Sequence, residues 1–164
     1  MKAFVLAVPW LLLTSAPPSA PAVGQAFPVM RFFEGRTEGR GTLKVMMKAP
    51  VPIAVESRGR VEPDGSLVLV QKILEGNKPA RTRSWRMREI SPGRYTGALT
   101  DAVGPVSVQA KGSRLHISYR MKGGLDADQW LTLAPGGRSA HNQMTVRKFG
   151  LSVATVEETI RKLD

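Results

Sequence analysis

Apolar and polar residues alternate with a period of two along most of the chain. Between residues 36 and 47, Gly, Leu, Val and Met fall on one side, while mainly Glu, Arg, Thr and Lys fall on the other. This alternation is typical of a β-strand that buries one face. Similar runs recur at short spacing, separated by Gly, Pro, Asn and Asp, and they predict an antiparallel sheet.

The pattern predicts nine strands, at residues 36–48, 53–62, 66–75, 81–90, 94–100, 106–110, 114–121, 130–134 and 139–148. Residues 123–128 are predicted to form a loop. Residues 151–162 mix strand formers with helix formers, and we favour a tenth strand. Residues 27–34 form an apolar segment too short for an amphipathic helix, so we predict a plug or short turn against one end of the sheet. The fold class is therefore all-β, an antiparallel up-and-down barrel of about 8 to 10 strands, with a two-sheet sandwich as the alternative.

The N-terminus has the layout of a secretory signal. A basic start at Lys2 precedes the apolar run 3–13, and residues 14–26 are rich in Ala, Ser and Pro. The apolar run is too short to span a bilayer. Small residues permit cleavage after Ala22 or after Ala26. We predict a signal peptide at residues 1–22, a single barrel domain at residues 27–164 and export to a bacterial periplasm.

The chain is strongly basic and has no cysteine. Lys and Arg number 24 against 13 Asp and Glu, which gives a formal net charge of +11. The basic residues are spread over outward strand positions, which disfavours a nucleic-acid partner. A basic face attracts an anionic membrane surface, although the same charge also suits a plain solvated surface. Without cysteine there is no disulfide, thiol nucleophile, zinc-thiolate site or lipid-anchor cysteine.

Several short motifs, spread over nearly the whole mature chain, resemble one bacterial family. They are residues 32–37 (FFEGRT), Arg83 with Trp85, residues 93–95 (GRY) with Gly97, residues 103–105 (VGP), and Asn142 and Thr145 with residues 148–150 (KFG). The chain resembles domain-of-unknown-function family 3833, small envelope proteins that are often lipoproteins. The resemblance implies a lipocalin-like (calycin-like) barrel and a setting beside enzymes of fatty-acyl modification, without an established activity. Lipid anchoring does not carry over, because this chain has no cysteine.

Arg83 is the sharpest candidate for a functional residue. It shares a predicted inward face with Trp85 and Met87, so its guanidinium needs a partner. The partner is either a protein carboxylate such as Glu34 or Asp101, or the carboxylate or phosphate of a ligand, which the planar guanidinium suits. The third alternative is a different strand register that leaves Arg83 outside the barrel.

The other candidate residues follow from the inward faces and from the family motifs. Lys148 either seats a ligand headgroup at the barrel rim or is simply rim charge. In the second case, Phe149 closes the core and Gly150 permits a sharp turn. The predicted cavity residues are Arg83, Trp85, Tyr95, Tyr119, Asn142 and Lys148, and the structural motif residues are Phe33, Glu34, Gly35, Phe149 and Gly150.

No catalytic motif is recognisable, and we predict a protein that is not an enzyme and has no metal or cofactor. His116 and His141 have no acidic partner nearby in sequence, and two histidines do not make a metal site. The predicted function is a periplasmic barrel that binds an apolar or amphipathic molecule, such as a lipid or fatty-acyl compound. The alternative is a structural or adaptor protein of the envelope whose basic face contacts anionic lipid or a partner protein. The oligomeric state does not follow from the sequence.

Overall fold

A computed structural model describes residues 26–164 of the chain. The predicted signal peptide, residues 1–22, lies outside the described residues. The described part contains one short helix and ten strands: α1 (Val29–Phe33), β1 (Gly35–Val45), β2 (Val51–Val61), β3 (Leu67–Glu75), β4 (Arg81–Ser91), β5 (Arg94–Leu99), β6 (Val106–Lys111), β7 (Arg114–Met121), β8 (Leu125–Leu133), β9 (Ser139–Lys148) and β10 (Leu151–Lys162).

The ten strands form one closed antiparallel barrel. Each strand pairs with its neighbours in sequence, and β1 pairs with β10 to close the sheet. The predicted up-and-down barrel is confirmed, the two-sheet sandwich is excluded, and the tail is a strand. Gly41 permits the closure, since a Cβ at this position would lie 1.9 Å from the Glu157 carbonyl oxygen on β10. Glycine within a strand often marks such a close approach of another backbone.

The segment that contains α1 closes one end of the barrel, which we call the closed end. Phe27, Val29, Phe32 and Phe33 are buried there, and the Phe27 backbone N–H donates to the Gly112 carbonyl at 2.8 Å. This confirms the predicted plug, which proves to be a single helical turn. At the opposite end, which we call the open end, the strands are joined by residues 46–50, 76–80, 100–105, 122–124 and 149–150.

The core follows the predicted alternation. Leu115, Ile117 and Tyr119 of β7 are buried in one cluster with Trp85 and Met87 of β4. The rings of Trp85 and Tyr119 meet edge to face with their centroids 5.8 Å apart. A smaller apolar cluster lies toward the open end and contains Ile53, Val55, Ile73 and Val156, with Leu43 and Met144 packed against it.

Two local expectations are wrong. Residues 125–128 belong to β8 and do not form a loop: Leu125 and Ala127 face inward while Asp126 and Asp128 face outward, so the strand alternation begins directly after the glycine turn. The first strand ends at Val45, and Met47 lies in the turn with a φ of 61° and 97% of its surface exposed.

Candidate functional site

A belt of polar groups crosses the inside of the barrel between the main core and the smaller apolar cluster. Each member occupies an inward position of its strand, where the period of two ordinarily places an apolar residue. Trp85 and Tyr119 are core residues that contribute their polar NH and OH groups to the belt. We call this set the polar belt; its members are Ser57, Gln71, Arg83, Trp85, Tyr119, Gln129, Asn142 and Glu158.

Gln71 organises one side of the belt. Its Oε1 accepts hydrogen bonds from Arg83 Nε and from Trp85 Nε1, both at 2.7 Å. Its Nε2 donates to Ser57 Oγ at 3.0 Å. The strand register explains these contacts, because Gln71 stands directly opposite Ser57 on β2 and opposite Arg83 on β4. The amide therefore fixes the Arg83 and Trp85 side chains against the wall.

Arg83 does not form either of the predicted ion pairs. Asp101 binds Arg81 at 2.9 Å instead, and Glu34 is exposed outside the barrel. Among the ion pairs of residues 26–164, none includes Arg83. Its guanidinium carbon lies 5.4 Å from the centroid of the Trp85 ring, close enough for a cation–π contact. The guanidinium thus enters the belt with a neutral amide as its hydrogen-bond partner.

Glu158 and Asn142 form the opposite side of the belt. Asn142 Nδ2 donates to Glu158 Oε1 at 2.8 Å across directly paired positions of β9 and β10. Burial raises the pKa of the Glu158 carboxyl, while the Asn142 hydrogen bond and the Arg83 charge oppose that rise. Gly39 leaves the space that this carboxyl occupies, since a Cβ there would lie 2.7 Å from Glu158 Oε2.

Four buried polar atoms of the belt have no hydrogen-bond partner, namely Tyr119 OH, Gln129 Oε1, Asn142 Oδ1 and Glu158 Oε2. Buried polar groups are normally paired, so each such atom calls for an explanation such as a bound water, an ion or a ligand. Burial raises the pKa of the Tyr119 hydroxyl, which therefore remains a neutral donor, and the Arg83 charge opposes the shift. The belt accordingly offers both donors and acceptors to a polar group.

The free space beside the belt is small. It measures about 30 Å³ and is bordered by Arg83, Gln129 and Glu158 among apolar neighbours such as Ile117 and Leu131. A volume of this size holds about one or two water molecules. The interior is therefore filled mainly by its own side chains, and a larger molecule enters only if some of them move.

The remaining predicted site residues lie elsewhere. Tyr95 is buried at the closed end, where burial and then the Glu89 charge raise its pKa. Lys148 is exposed at the open end, outside the polar belt. Phe149 does not close the core, because 90% of its surface is exposed, whereas Gly150 does adopt the turn conformation with a φ of 80°.

The three N-terminal motif residues also lie apart from the belt. Phe33 is part of the plug, and Glu34 and Gly35 link the helix to β1 at the closed end.

His116 has the acidic partner that was not evident from the sequence. Its Nε2 lies 2.7 Å from Asp128 Oδ2, and Trp130 Nε1 donates to the other carboxylate oxygen at 3.1 Å. The His116 and Trp130 rings stack 4.1 Å apart, and Arg114 covers the far face of the stack with its guanidinium carbon 4.3 Å from the Trp130 centroid. This cluster lies on the outer face of β7 and β8, so it is separate from the belt.

Residues 26–164 lack two further features. The carboxylates and histidines there form no group of three that is close enough to hold a metal ion. The described chain also has no helix with the length and apolar character needed to cross a bilayer.

Comparison with solved structures shows the same barrel in distant proteins. A Nostoc punctiforme protein of unknown function from the DUF3598 family is 12% identical with a TM-score of 0.66; the alignment covers 89% of this chain and 53% of that protein, so our chain spans about half its length. The S-type phycobiliprotein lyase CPES of Guillardia theta is 7% identical with a TM-score of 0.64, and the alignment covers 83% of this chain and 90% of the lyase. Rv2717c of M. tuberculosis is 12% identical with a TM-score of 0.52, and the alignment covers 83% of this chain and 96% of Rv2717c.

These likenesses identify the fold as a lipocalin-like (calycin-like) barrel. No curated protein matches the sequence. A family model described as "Protein of unknown function (DUF3833)" matches residues 15–162, which is most of the chain. The chain therefore belongs to the DUF3833 family.

Proposed function

We propose that this barrel binds an amphipathic small molecule with an acidic end, such as a fatty acid or another lipid-derived acid. One observation carries the proposal: the inside of the barrel holds the Arg83 guanidinium without a carboxylate partner, beside four buried polar atoms that lack hydrogen bonds. Each of these atoms destabilises the fold by about 1 to 3 kcal/mol unless a bound water or a ligand completes its hydrogen bonds.

The charge balance of the belt suits an anion. Burial raises the pKa of the Glu158 carboxyl and so opposes a negative charge there, while Arg83 is the one cationic member of the belt. A ligand carboxylate would accept from Arg83 and from Tyr119 OH. Hydrogen bonds between a charged donor and a carboxylate are about twice as strong as neutral ones.

The apolar part of the ligand would lie toward the open end. The smaller apolar cluster, with Leu43 and Met144 packed against it, lines the wall between the belt and that end. The space of about 30 Å³ is far below the roughly 300 to 1,000 Å³ of small-molecule pockets. Binding therefore needs an opened form in which side chains such as Met144 turn away from the centre.

Export to the periplasm is part of the proposal and rests on the N-terminal sequence alone. The first 25 residues carry the pattern of a secretory signal. In that compartment, lipid-derived acids are available as ligands.

A second candidate function is favoured by the small interior space. A barrel that stays filled would serve as a structural or adaptor protein of the envelope, whose basic surface contacts anionic lipid or a partner protein. The excess of Lys and Arg over Asp and Glu supports this candidate.

Native mass spectrometry of the protein purified from its host tests the first candidate. We expect a fraction of the molecules to carry an additional mass that organic extraction removes and identifies as a lipid-derived acid. A clean apo mass, together with failure of the extracted protein to bind a dansyl-labelled fatty acid, would overturn the ligand proposal. It would leave the structural role as the better account.

A further inference from the structure

Large apolar side chains are exposed on two neighbouring hairpins of the open end. Met46 and Met47, in the turn between β1 and β2, have 54% and 97% of their surface exposed. Phe149, in the turn between β9 and β10, is 90% exposed, and Leu151 after it is 68% exposed. Single exposed apolar residues are ordinary, but a contiguous group of them marks an interaction surface.

The two hairpins are adjacent because β1 pairs with β10. The pairing places Val45 opposite Ala154, and the Met46 backbone N–H extends it by donating to the Val153 carbonyl at 2.9 Å. The four exposed apolar residues therefore lie on two adjacent hairpins of the open end. We call it the rim surface and define it by Lys44, Met46, Met47, Lys48, Arg147, Lys148, Phe149 and Leu151.

The backbone holds the two most exposed of these side chains in a strained conformation. Met47 has a φ of 61° and Phe149 a φ of 51°, and within residues 26–164 they alone combine a side chain with a positive φ. Glycine takes such positions in ordinary turns, and bulky residues rarely adopt them. Strain of this kind is concentrated at functional sites. Both hairpins thus present a bulky apolar side chain to solvent at a conformational cost.

The charge of the rim surface is uniformly positive. Lys44, Lys48, Arg147 and Lys148 belong to it, and the segments 39–55 and 129–156 contain no Asp or Glu. None of these four cations is among the ion pairs of the part of the chain that the structure describes.

The turn at residues 76–80, also at the open end, differs because the cations in and beside it are paired with acidic residues. There, Glu75 binds both Lys78 and Arg81, and Arg81 also binds Asp101. In the rim surface, by contrast, none of the four cations forms an ion pair with a described residue. Asp126, which lies opposite Arg147, pairs with Arg120 instead.

We propose that the rim surface docks the open end of the barrel onto a bilayer that contains anionic phospholipid. Met47 and Phe149 enter the boundary between headgroups and acyl chains, while the flanking lysines reach the phosphates. Interfacial anchors combine apolar and basic residues in this way. Long lysine side chains allow the charge to stay at headgroup level beside a buried apolar neighbour.

The small extent of the rim surface favours a bilayer over a protein partner. Its exposed apolar side chains come from two hairpins only, whereas a stable protein interface needs about 800 Å² of well-packed surface on each partner. A fluid bilayer accommodates such a small group without shape complementarity. Docking in this orientation turns the open end toward the membrane, and it does not depend on whether the barrel holds a ligand.

Flotation with vesicles tests the proposal on the full-length protein without added ligand. We expect binding to vesicles of phosphatidylglycerol and phosphatidylcholine in equal parts, and much weaker binding to phosphatidylcholine alone. The double variant Met47→Ser, Phe149→Ser is expected to bind at least about tenfold more weakly, because it removes two apolar side chains from the interface. Lys48→Gln and Lys148→Gln are each expected to weaken binding by about fivefold.

Matched controls come from the rest of the molecule. Ile90 and Leu163 are 56% and 48% exposed at the closed end, so Ile90→Ser with Leu163→Ser removes equal numbers of exposed apolar residues there. Lys72→Gln removes an exposed cation from the outer wall. All variants share residues 1–25, so any vesicle contact of that segment cancels from the comparison.

A local probe reports insertion directly. The chain has no cysteine, so Met47→Cys and, as a control, Ile90→Cys each take a single environment-sensitive fluorophore. We expect a blue shift on vesicle binding at position 47 and none at position 90. Three results would each overturn bilayer insertion of the tips. The first is an equal fluorescence shift at positions 47 and 90, and the second is a loss of vesicle binding in the lysine variants but not in the double serine variant. The third is a dimer of the wild-type protein that the double serine variant dissociates.

Discussion

At the closed end, Phe32, Leu67 and Leu115 have at most 1% of their surface exposed, whereas at the open end Met47 and Phe149 are almost fully exposed. Both ends are built by the same ten strands, and the difference arises from the connections. The segment that contains α1 supplies four buried apolar residues to the closed end, and the turns of the open end supply none. The free energy of folding is therefore concentrated toward the closed end of the barrel. The polar belt and the rim surface lie farther from that end, where packing constrains the sequence less.

The largest expected effect compares matched leucines from the two regions. Leu115→Ala removes a fully buried side chain from the main core and is expected to lower the free energy of unfolding by about 4 kcal/mol. Leu43→Ala, at the edge of the smaller cluster, is expected to cost about 2 kcal/mol or less. Urea denaturation measures both values. Equal losses would show that the main core and the smaller cluster contribute equally to the free energy of unfolding.

A smaller effect is expected from the Glu158 carboxyl. Because burial raises its pKa above the ordinary 4.5, the folded protein retains this proton at a pH where the unfolded chain has lost it. The contribution of Glu158 to the free energy of unfolding therefore falls as the pH rises from about 4.5 through the raised pKa. Glu158→Gln is expected to remove this decline and to be more stable than wild type at neutral pH.

Thermal melts across that pH range compare the two proteins. Glu157→Gln is the matched control, because Glu157 is the exposed neighbour on the same strand. If the stability of Glu158→Gln follows the wild-type pH profile throughout, the Glu158 carboxyl is not desolvated in the folded protein.

The smallest effect concerns the hydroxyl of Tyr119. The Tyr119 hydroxyl completes no hydrogen bond of ordinary geometry, although the Arg83 guanidinium lies near it, so Tyr119→Phe is expected to raise the free energy of unfolding by about 1 kcal/mol. Tyr95→Phe, at the closed end, removes a hydroxyl that interacts with Glu89 and is expected to be neutral or destabilising. Urea denaturation in the absence of ligand measures both. A loss of stability in Tyr119→Phe would mean that the hydroxyl has a partner in the folded protein.

Alternation alone predicts most of the fold. The inward positions of β4 and β7 follow directly from it, as does the plug from its length and composition. The loop predicted at residues 123–128 is wrong from residue 125 onward, where β8 begins directly after the glycine pair. In fact Asp126 and Asp128 take the outward positions of a regular strand, with Leu125 and Ala127 inward.

The candidate site was predicted only in part. Arg83, Trp85, Tyr119 and Asn142 were identified, whereas Gln71, Gln129 and Glu158 were not, although the same period places each of them between inward apolar residues. Their mutual contacts depend on strand register, which the sequence does not define. The same holds for His116 and Asp128, which meet across β7 and β8.

The exposure of Phe149 was also missed. The alternation does not distinguish an apolar residue at a hairpin tip from one that closes the core, because the tip interrupts the period. Only the positive φ of Phe149 and the course of the β9 and β10 turn place its side chain in solvent.

Titration of a dansyl-labelled fatty acid into delipidated protein, with two arginine variants of β4, tests the central claim most directly. Arg83→Gln replaces the guanidinium inside the polar belt, and Arg88→Gln replaces an exposed guanidinium on the outer face of the same strand. We predict at least about tenfold weaker binding for Arg83→Gln, since a charge-assisted hydrogen bond is lost, and wild-type binding for Arg88→Gln. Equal affinity in all three proteins would contradict the assignment of the polar belt as a ligand site.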